Sequence, residues 1–253
     1  MAMKDLRAAT ASMVEEELGA ARSDAPEDAD GDDRLAEMRA ELRTYYDGDF
    51  SQAYADANDG EVPRIEPLFN SLSDLAVTLQ YYYIRKNPNP LGKKGLLEQA
   101  EDNSSYSKMH AQYHGPLRNY TERFGFYDLF LVDAETGNVV YSVAKEVDLG
   151  TSLVNGPYAM TNLGRVFQKA ATGAWKDSVC FVDYQNYTPS FDAPASFIAA
   201  PIFDDQQKIG VVILQMPIAR INQAMGQLTG LGRTGEAFLV GPDFLFRSDC
   251  RFL

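Results

Sequence analysis

Cysteine, histidine and long apolar runs are all scarce in this chain of 253 residues, which has 2 cysteines and 2 histidines. Cys180 and Cys250, a lone pair, could bridge in an oxidising compartment or stay free, and the absence of a disulfide framework favours two free thiols. With His110 and His114 as the only histidines, most general-base schemes have few candidates. The composition therefore argues against an enzyme.

Motifs of catalysis and of membrane insertion are also missing. The sequence has no Gly-x-Ser-x-Gly elbow and no Walker loop. No stretch reaches the roughly 18–20 apolar residues of a membrane span, and residues 1–17 lack the apolar core and cleavage site of a secretory signal. His110 and His114 have metal-ligand spacing but no third ligand nearby, so we expect no metal site, no cofactor and no catalytic residue.

Positive charge is scarce in the N-terminal part of the chain. Residues 1–62 hold 17 acidic and 6 basic side chains, a net charge of −11, whereas residues 63–253 hold 19 and 17, a net charge of −2. A chain this acidic is repelled by phosphate backbones, which excludes nucleic acid as a partner. The N-terminal composition predicts helices over 3–22 and 33–46, joined by an acidic loop over 23–33.

Two further helices are indicated before residue 126. Apolar residues recur every three or four positions from Arg64 to Lys86, which predicts one helix. Ser104 or Ser105 caps the start of the next helix, and Gly125 ends it.

After Gly125 the apolar period changes from 3.6 to 2, which is typical of strands. The predicted order is two strands, a helix and three strands: Tyr127–Asp133, Val139–Ala144, the helix Pro157–Ala171, Asp177–Tyr184, Ser196–Phe203 and Lys208–Met216. Short turns join neighbouring strands, which favours antiparallel pairing. We predict an α+β fold in which long N-terminal helices precede a PAS-like antiparallel five-stranded sheet.

An internal repeat follows this sheet. Tyr127–Ser142 and Gly235–Ser248 both read Phe-Leu-Val, a tight turn and a short apolar strand that ends in Ser. We interpret the second copy as the first hairpin of a second, truncated module. The glycines of 230–235 match the dinucleotide fingerprint, but a predicted helix precedes them and a strand follows, the reverse of what pyrophosphate binding needs.

The segment Asp183–Phe197 joins two predicted strands and is too long for a plain hairpin turn. It carries four aromatic and two acidic side chains, a composition suited to a pocket for a small polar ligand. The alternative is a structured loop whose aromatic side chains pack on the sheet.

Many ordered motifs resemble the double Cache sensor regions of bacterial methyl-accepting chemotaxis proteins and related sensor kinases and cyclases. They include Asn87-Pro-Asn-Pro-Leu-Gly-Lys93, Gly125-Phe-Tyr-Asp-Leu-Phe-Leu-Val-Asp133, Val140-Tyr-Ser-Val-Ala-Lys-Glu-Val-Asp148, Ala195-Ser-Phe-Ile-Ala-Ala-Pro-Ile202, Ile209-Gly-Val-Val-Ile-Leu-Gln-Met-Pro217 and Gly232-Arg-Thr-Gly-Glu-Ala-Phe-Leu-Val240. The resemblance implies a periplasmic domain between two membrane spans that lie outside this fragment. The implied parts are an acidic helical region (1–62), a helical stalk packing on the sheet (63–126), a membrane-distal Cache sensor module (127–217), and a linker helix with the start of a second module (218–253).

The chain departs from the family's amino-acid sensors at the site itself. In those sensors an Arg and aromatic residues after the second strand hold the ligand's carboxylate, and Tyr and Asp hold its amine. Tyr187 stands at the sensor Tyr, but Gln215 stands where the Asp is expected, and residues 149–158 lack the Arg-aromatic cluster. A neutral Gln cannot supply the charge-assisted bond that an ammonium group prefers, which leaves a different small molecule or a partner protein open.

We therefore predict an extracytoplasmic ligand-sensing domain of a chemoreceptor-like bacterial transmembrane receptor, binding a small solute and transmitting a conformational signal. The expected ligand-binding residues are Tyr141, Tyr158, Asp183, Tyr184, Tyr187, Phe197 and Gln215. The alternative is a ligand-free dimerisation or protein-interaction module of a sensor histidine kinase or cyclase. In both cases we expect a homodimer formed through the N-terminal helices.

Overall fold

The computed structural model describes residues 1–24, 31–173, 175–226 and 230–252. In these ranges, eight α-helices surround one five-stranded sheet. The helices are α1 (Ala2–Asp24), α2 (Gly31–Tyr45), α3 (Ser51–Ala57), α4 (Ile65–Asn70), α5 (Asp74–Gln80), α6 (Ser105–Phe124), α7 (Asn162–Thr172) and α8 (Ile218–Met225). The strands are β1 (Asp128–Asp133), β2 (Val139–Ser142), β3 (Cys180–Tyr187), β4 (Ala193–Asp204) and β5 (Gln207–Pro217). Most of the predicted acidic loop falls on residues 25–30, outside the described ranges.

All neighbouring strands are antiparallel, in the order β2-β1-β5-β4-β3. Alternation places every second side chain of a strand on the same face, which explains why the period-2 pattern of the sequence predicted these strands. The α+β class and the five-stranded antiparallel sheet are confirmed.

The two faces of the sheet are covered by different parts of the chain. One face, here called the helix face, contains Leu131 and Tyr141 and packs against α1 and α6. His114 of α6 lies 2.7 Å from the Tyr141 hydroxyl. The other face, here called the pocket face, contains Phe130 and Phe197, whose rings lie 6.3 Å apart, and the chain between β2 and β3 covers it.

The prediction of one continuous helix from Arg64 to Lys86 is wrong. The apolar spacing runs on without interruption, but the chain breaks between α4 and α5 because Ser73 caps α5, its side chain accepting the backbone N–H of Ala76 at 3.2 Å. The predicted limits of α6 are confirmed, since Ser104 caps its start and Gly125 ends it at φ 69°. The crossover helix α7 begins at Asn162 rather than at Pro157.

The long loop predicted over Asp183–Phe197 is also wrong. β3 continues to Tyr187 and β4 begins at Ala193, so most of this segment belongs to paired strands. The connection is a 3-10 turn over Thr188–Ser190 followed by Phe191 and Asp192, both at φ 57°. Polar and aromatic residues next to a proline resemble a loop, but β3 is an edge strand and tolerates them.

The second copy of the repeat forms a tight turn with a single bridge, Val240 to Phe246, and two flanking backbone hydrogen bonds. Cys180 and Cys250 are free thiols. Among the helices in the described ranges, none is both long and apolar enough to cross a membrane.

Gly150 is the glycine whose replacement tests the packing of this fold most directly. It lies at φ +80°, and an added Cβ would lie 2.7 Å from the Cα of Ala76 in α5. We expect Gly150→Ala to lower the free energy of unfolding by roughly 3 kcal/mol or more, because left-handed strain and a backbone clash add together. The matched control is Gly60→Ala, at φ +88° in open space, which should cost only about 1–2 kcal/mol in urea denaturation. Equal losses in the two variants would contradict the close approach of α5.

Candidate functional site

Four of the seven predicted ligand-binding residues lie together on the pocket face. Gln215 of β5 is aligned with Phe197 of β4, so their side chains share this face. The ring of Tyr187, at the end of β3, packs edge-on against Phe197 at 5.2 Å, and Tyr158 lies 6.2 Å from Tyr187. All four residues are buried, and the three rings fill the space predicted to be a pocket.

The structure does not place the other three predicted residues with this group. Tyr141 lies on the helix face, where its hydroxyl contacts His114. Asp183 accepts a hydrogen bond from Nε of Arg247 at 3.0 Å, and the Tyr184 hydroxyl lies 3.4 Å from the carbonyl oxygen of Pro217. Strand alternation explains the separation of Tyr141, which a linear reading of the motif does not reveal.

Two acids that the sequence analysis did not single out join the site, the fully buried Asp148 and the half-buried Glu146. Asp148 accepts a hydrogen bond from the Tyr187 hydroxyl at 2.5 Å. Glu146 accepts hydrogen bonds from the Tyr127 hydroxyl at 2.5 Å and from Oγ of Ser190 at 2.7 Å. Charged residues directly after an apolar strand resemble a solvent-exposed loop, so their burial has no signal in the local sequence.

The side chain of Gln80, at the end of α5, holds the acidic segment in place. Its Nε2 donates to the carbonyl oxygens of Val147 and Leu149, both at 2.9 Å, on either side of Asp148. Its Oε1 accepts from the Tyr46 hydroxyl at 2.7 Å. Because Gln80 is fully buried, these bonds fix the backbone at Asp148 to the helical region.

The electrostatics of the site follow from this burial. Burial, followed by the charge of nearby Asp128, raises the pKa of Asp148 to about 7. Burial, followed by the charge of Asp148, raises the pKa of Glu146 well above its ordinary range. Burial thus favours the neutral form of Glu146, and Asp148, with a pKa of about 7, is divided between its two forms at neutral pH.

Several buried polar atoms of the site have no hydrogen-bond partner among the described residues. They are Oδ1 of Asp148, the hydroxyl of Tyr158 and Oε1 of Gln215. The ring of Tyr158 lies 6.2 Å from that of Tyr187, the partner of Asp148. The pKa of Tyr158 is raised by burial first, then by Tyr46 and by the charges of Asp148 and Glu146. Such atoms each cost about 1–3 kcal/mol when left unpaired, a cost that a polar group reaching them would remove.

A cavity of about 460 Å³ adjoins the buried group, and Glu146 lies in its wall. Its other walls come from the 91–96 loop, the second half of α6 and the segment that follows β2. The lining residues are Tyr45, Phe50, Leu91, Gly92, Lys93, Lys94, Gly95, Leu96, Arg118, Thr121, Glu122, Phe126, Tyr127, Val143, Ala144, Lys145, Glu146, Val147, Pro189 and Phe191. This volume is within the range of small-molecule sites.

The two histidines have structural roles. Their rings stack at 4.6 Å, and burial lowers the pKa of both, that of His114 to about 3. Within the described ranges, no group of three or more His, Cys, Asp or Glu side chains is arranged to hold a metal ion.

No protein-family model matches the chain, and no curated protein sequence does either. The solved structures that the comparison matches include sensor domains of a histidine kinase and of two chemoreceptors. The sensor domain of the V. cholerae histidine kinase DctB is 16% identical over 68% of this chain and 56% of its own length, with a TM-score of 0.36. The sensory domain of the Campylobacter jejuni chemoreceptor Tlp3 with isoleucine bound is 13% identical, covering 96% and 73% of the two chains, with a TM-score of 0.40.

The ligand-binding domain of the Pseudomonas fluorescens chemoreceptor CtaA in complex with L-leucine is 14% identical, covering 85% of this chain and 71% of its own, with a TM-score of 0.35. These TM-scores lie below 0.5, so the function proposed below rests on the chain's own residues.

The raised pKa of Asp148 predicts a pH dependence of stability. A carboxyl whose pKa is higher in the folded chain stabilises it below the unfolded pKa, and this contribution is lost as pH rises through the folded pKa. Relative to Asp148→Asn, which does not titrate, the wild type should lose up to about 4 kcal/mol of unfolding free energy between about pH 4 and pH 7. Urea denaturation of both proteins across this range measures the difference. Parallel stability curves would contradict the burial of Asp148.

Proposed function

We propose that this chain is the extracytoplasmic ligand-sensing domain of a bacterial transmembrane signalling receptor, and that it binds a small solute. One observation carries the proposal: buried polar atoms of Asp148, Tyr158 and Gln215 have no partner among the described residues, and a cavity of about 460 Å³ adjoins them through Glu146, which lies in its wall and bonds to Ser190, the partner of Gln215. A rigid sheet with a polar group at the end of an apolar cavity is the usual form of a small-molecule site.

The unpaired atoms indicate the chemistry of the solute. Oδ1 of ionised Asp148 and Oε1 of Gln215 are acceptors, so the group that reaches them is a hydrogen-bond donor. The Tyr158 hydroxyl can donate or accept. An amine, amide or hydroxyl would satisfy these atoms after a small movement of the aromatic side chains.

Gln80 provides the route from the site to the helices. It bonds both carbonyl groups that flank Asp148 and also the Tyr46 hydroxyl, next to the end of α2. A solute that moves Asp148 therefore acts directly on the position of α5 and α2. Binding then shifts the population between two arrangements in proportion to its differential affinity for them.

The proposal extends to the rest of the receptor. The proposed protein has membrane spans beyond these residues, places this domain in the periplasm and pairs with a second copy through its N-terminal helices. Much of the apolar side of α1, including Met3, Leu6 and Met13, is buried within its own chain, so pairing would use the remaining surface.

A second candidate is a ligand-free interaction module. The observation that favours it is the closed pocket face, where Tyr158, Tyr187 and Phe197 are at most 2% exposed. In that case the aromatic side chains serve as core, and association through the helices carries the signal.

A thermal-shift screen against amino acids, amines, organic acids and purines distinguishes the two candidates. A solute at a hundred times its dissociation constant should stabilise the chain by roughly 2.7 kcal/mol, because it binds only the folded state. A response confined to one chemical class is expected. Silence across the panel, together with a dimer in sedimentation experiments, would replace the sensor with the interaction module.

Tyr158→Phe tests the position of the site. Removing an unpaired buried hydroxyl should raise the free energy of unfolding by about 1 kcal/mol. It should also lower the affinity for the solute found in the screen about tenfold. Stability and binding thus change in opposite directions. The matched control is Tyr184→Phe, whose hydroxyl lies away from the site and whose loss should leave affinity unchanged. Unchanged binding in Tyr158→Phe would remove this residue from the site.

A further inference from the structure

Lys145 is a buried lysine that occupies an unusual backbone position. It follows β2 at φ 61°, in the left-handed region that non-glycine residues rarely adopt, and only 2% of it is exposed. Its backbone N–H donates to Oγ of Ser142 at 2.9 Å, which helps to hold this conformation. The side chain lies in the wall of the 460 Å³ cavity.

Both ring nitrogens of His114 already have hydrogen-bond partners, so neither accepts a hydrogen bond from the amine of Lys145. Nε2 of His114 lies 2.7 Å from the carbonyl oxygen of Gly95, which can only accept, so Nε2 carries the proton. Nδ1 then accepts from the Tyr141 hydroxyl at 2.7 Å. Nζ of Lys145 lies 3.4 and 3.5 Å from these two nitrogens, both already engaged.

The amine of Lys145 has one remaining acceptor, the carbonyl oxygen of Val143 at 3.2 Å. No carboxylate of the described residues lies within ion-pair distance of it. Burial lowers the pKa of Lys145 to about 7. The charge of Asp128 opposes this shift, and the charge of Arg118 adds to it. Much of Lys145 is therefore a neutral amine at neutral pH, with a lone pair free to react.

Arg118 brings an unused donor to the same cavity. Its Nε is buried and makes no hydrogen bond in the part of the chain that the structure describes, although the carboxylate of Glu122 lies 3.5 Å away. Apolar side chains form much of the remaining wall, among them Leu91, Leu96 and Phe126. The cavity thus combines a neutral amine, a guanidinium able to pair with a carboxylate, and apolar surroundings.

We propose that the cavity takes up a small 2-oxo acid, whose carbonyl carbon forms a reversible imine with Nζ of Lys145 while its carboxylate pairs with Arg118. The inference goes beyond the proposed function, because it places a reactive amine in the wall of the adjoining cavity, beside Glu146. The lone pair of Nζ attacks the carbonyl carbon, a C–N bond forms, and the C–O bond then breaks. The carbonyl oxygen leaves as water with the two amine hydrogens, so no oxidant or reductant takes part.

Imine formation also gives a route to the signal. Lys145 and the two acids belong to one short segment, and Gln80 fixes the backbone at Asp148 within it. A covalent group on Nζ fills the cavity beside Glu146 and displaces this segment from the helix face. The same movement reaches α5.

The test is reductive trapping with glyoxylate and cyanoborohydride at neutral pH on the whole chain, followed by peptide mapping. About a thousandth of an exposed lysine is neutral at this pH, so Lys145 should react roughly a hundredfold faster than exposed Lys4 or Lys86. Lys145→Met keeps the length of the side chain and should remove this adduct while circular dichroism shows a folded chain. Lys94→Arg changes another lysine of the cavity wall and should leave the adduct in place.

Arg118→Gln tests the second contact. It should slow trapping by glyoxylate about tenfold relative to acetaldehyde, which has no carboxylate to pair with the guanidinium. Equal slowing of both reagents would overturn the role of Arg118. An unmodified Lys145, with adducts only on exposed lysines, would overturn the imine. If a solute of the thermal-shift panel still stabilises Lys145→Met, the proposed sensor function stands without the covalent step.

Discussion

The buried carboxyl of Asp128 determines the arrangement on which the site depends. It accepts the backbone N–H groups of Leu129, Val143 and Ala144 at 2.6 to 3.0 Å, and the hydroxyl of Ser142 at 2.7 Å. These bonds turn the chain sharply as it leaves β2. Burial raises the pKa of Asp128 to about 6, even though the bonds from Ser142 and the backbone lower it. Because of this turn, Lys145 faces α6 on one side, whereas Glu146 and Asp148 face the tyrosines on the other.

A segment with this many buried ionisable groups is costly, and the chain retains it without compensating ion pairs among the described residues. Neutral forms reduce the cost: the pKa values of Asp148 and Lys145 both lie near 7. Groups poised in this way beside a cavity are typical of functional sites more than of packed cores. The contact of Gln80 with the carbonyl groups around Asp148 then couples the segment to α5, which joins sensing to a movement of helices.

The sequence was most informative where one local signal decided the structure. Alternation and turns predicted the five strands, and capping by Ser104 and Gly125 predicted α6. The sequence was less informative where a contact with a distant part of the chain determined the local structure. The break before Ser73 interrupts an apolar pattern that continues across it. β3 extends into the predicted loop because β4 pairs with it. The sequence predicted that four residues of the pocket face would be neighbours: Tyr158, Tyr187, Phe197 and Gln215. The position of Glu146 and Asp148 depends instead on Gln80 and the tyrosines, which lie far away in sequence.

The central claim is that the segment after β2 keeps ionisable groups buried without counter-charges beside a cavity. The most direct measurement is the pH titration of the lysine ε-carbons by nuclear magnetic resonance in the wild type and in Lys145→Met. One signal, absent from the variant, is predicted to titrate near pH 7, well below the ordinary lysine value of about 10.4. If Lys145 titrated with the other lysines, the segment would be solvated or ion-paired, and the account of the site would be wrong.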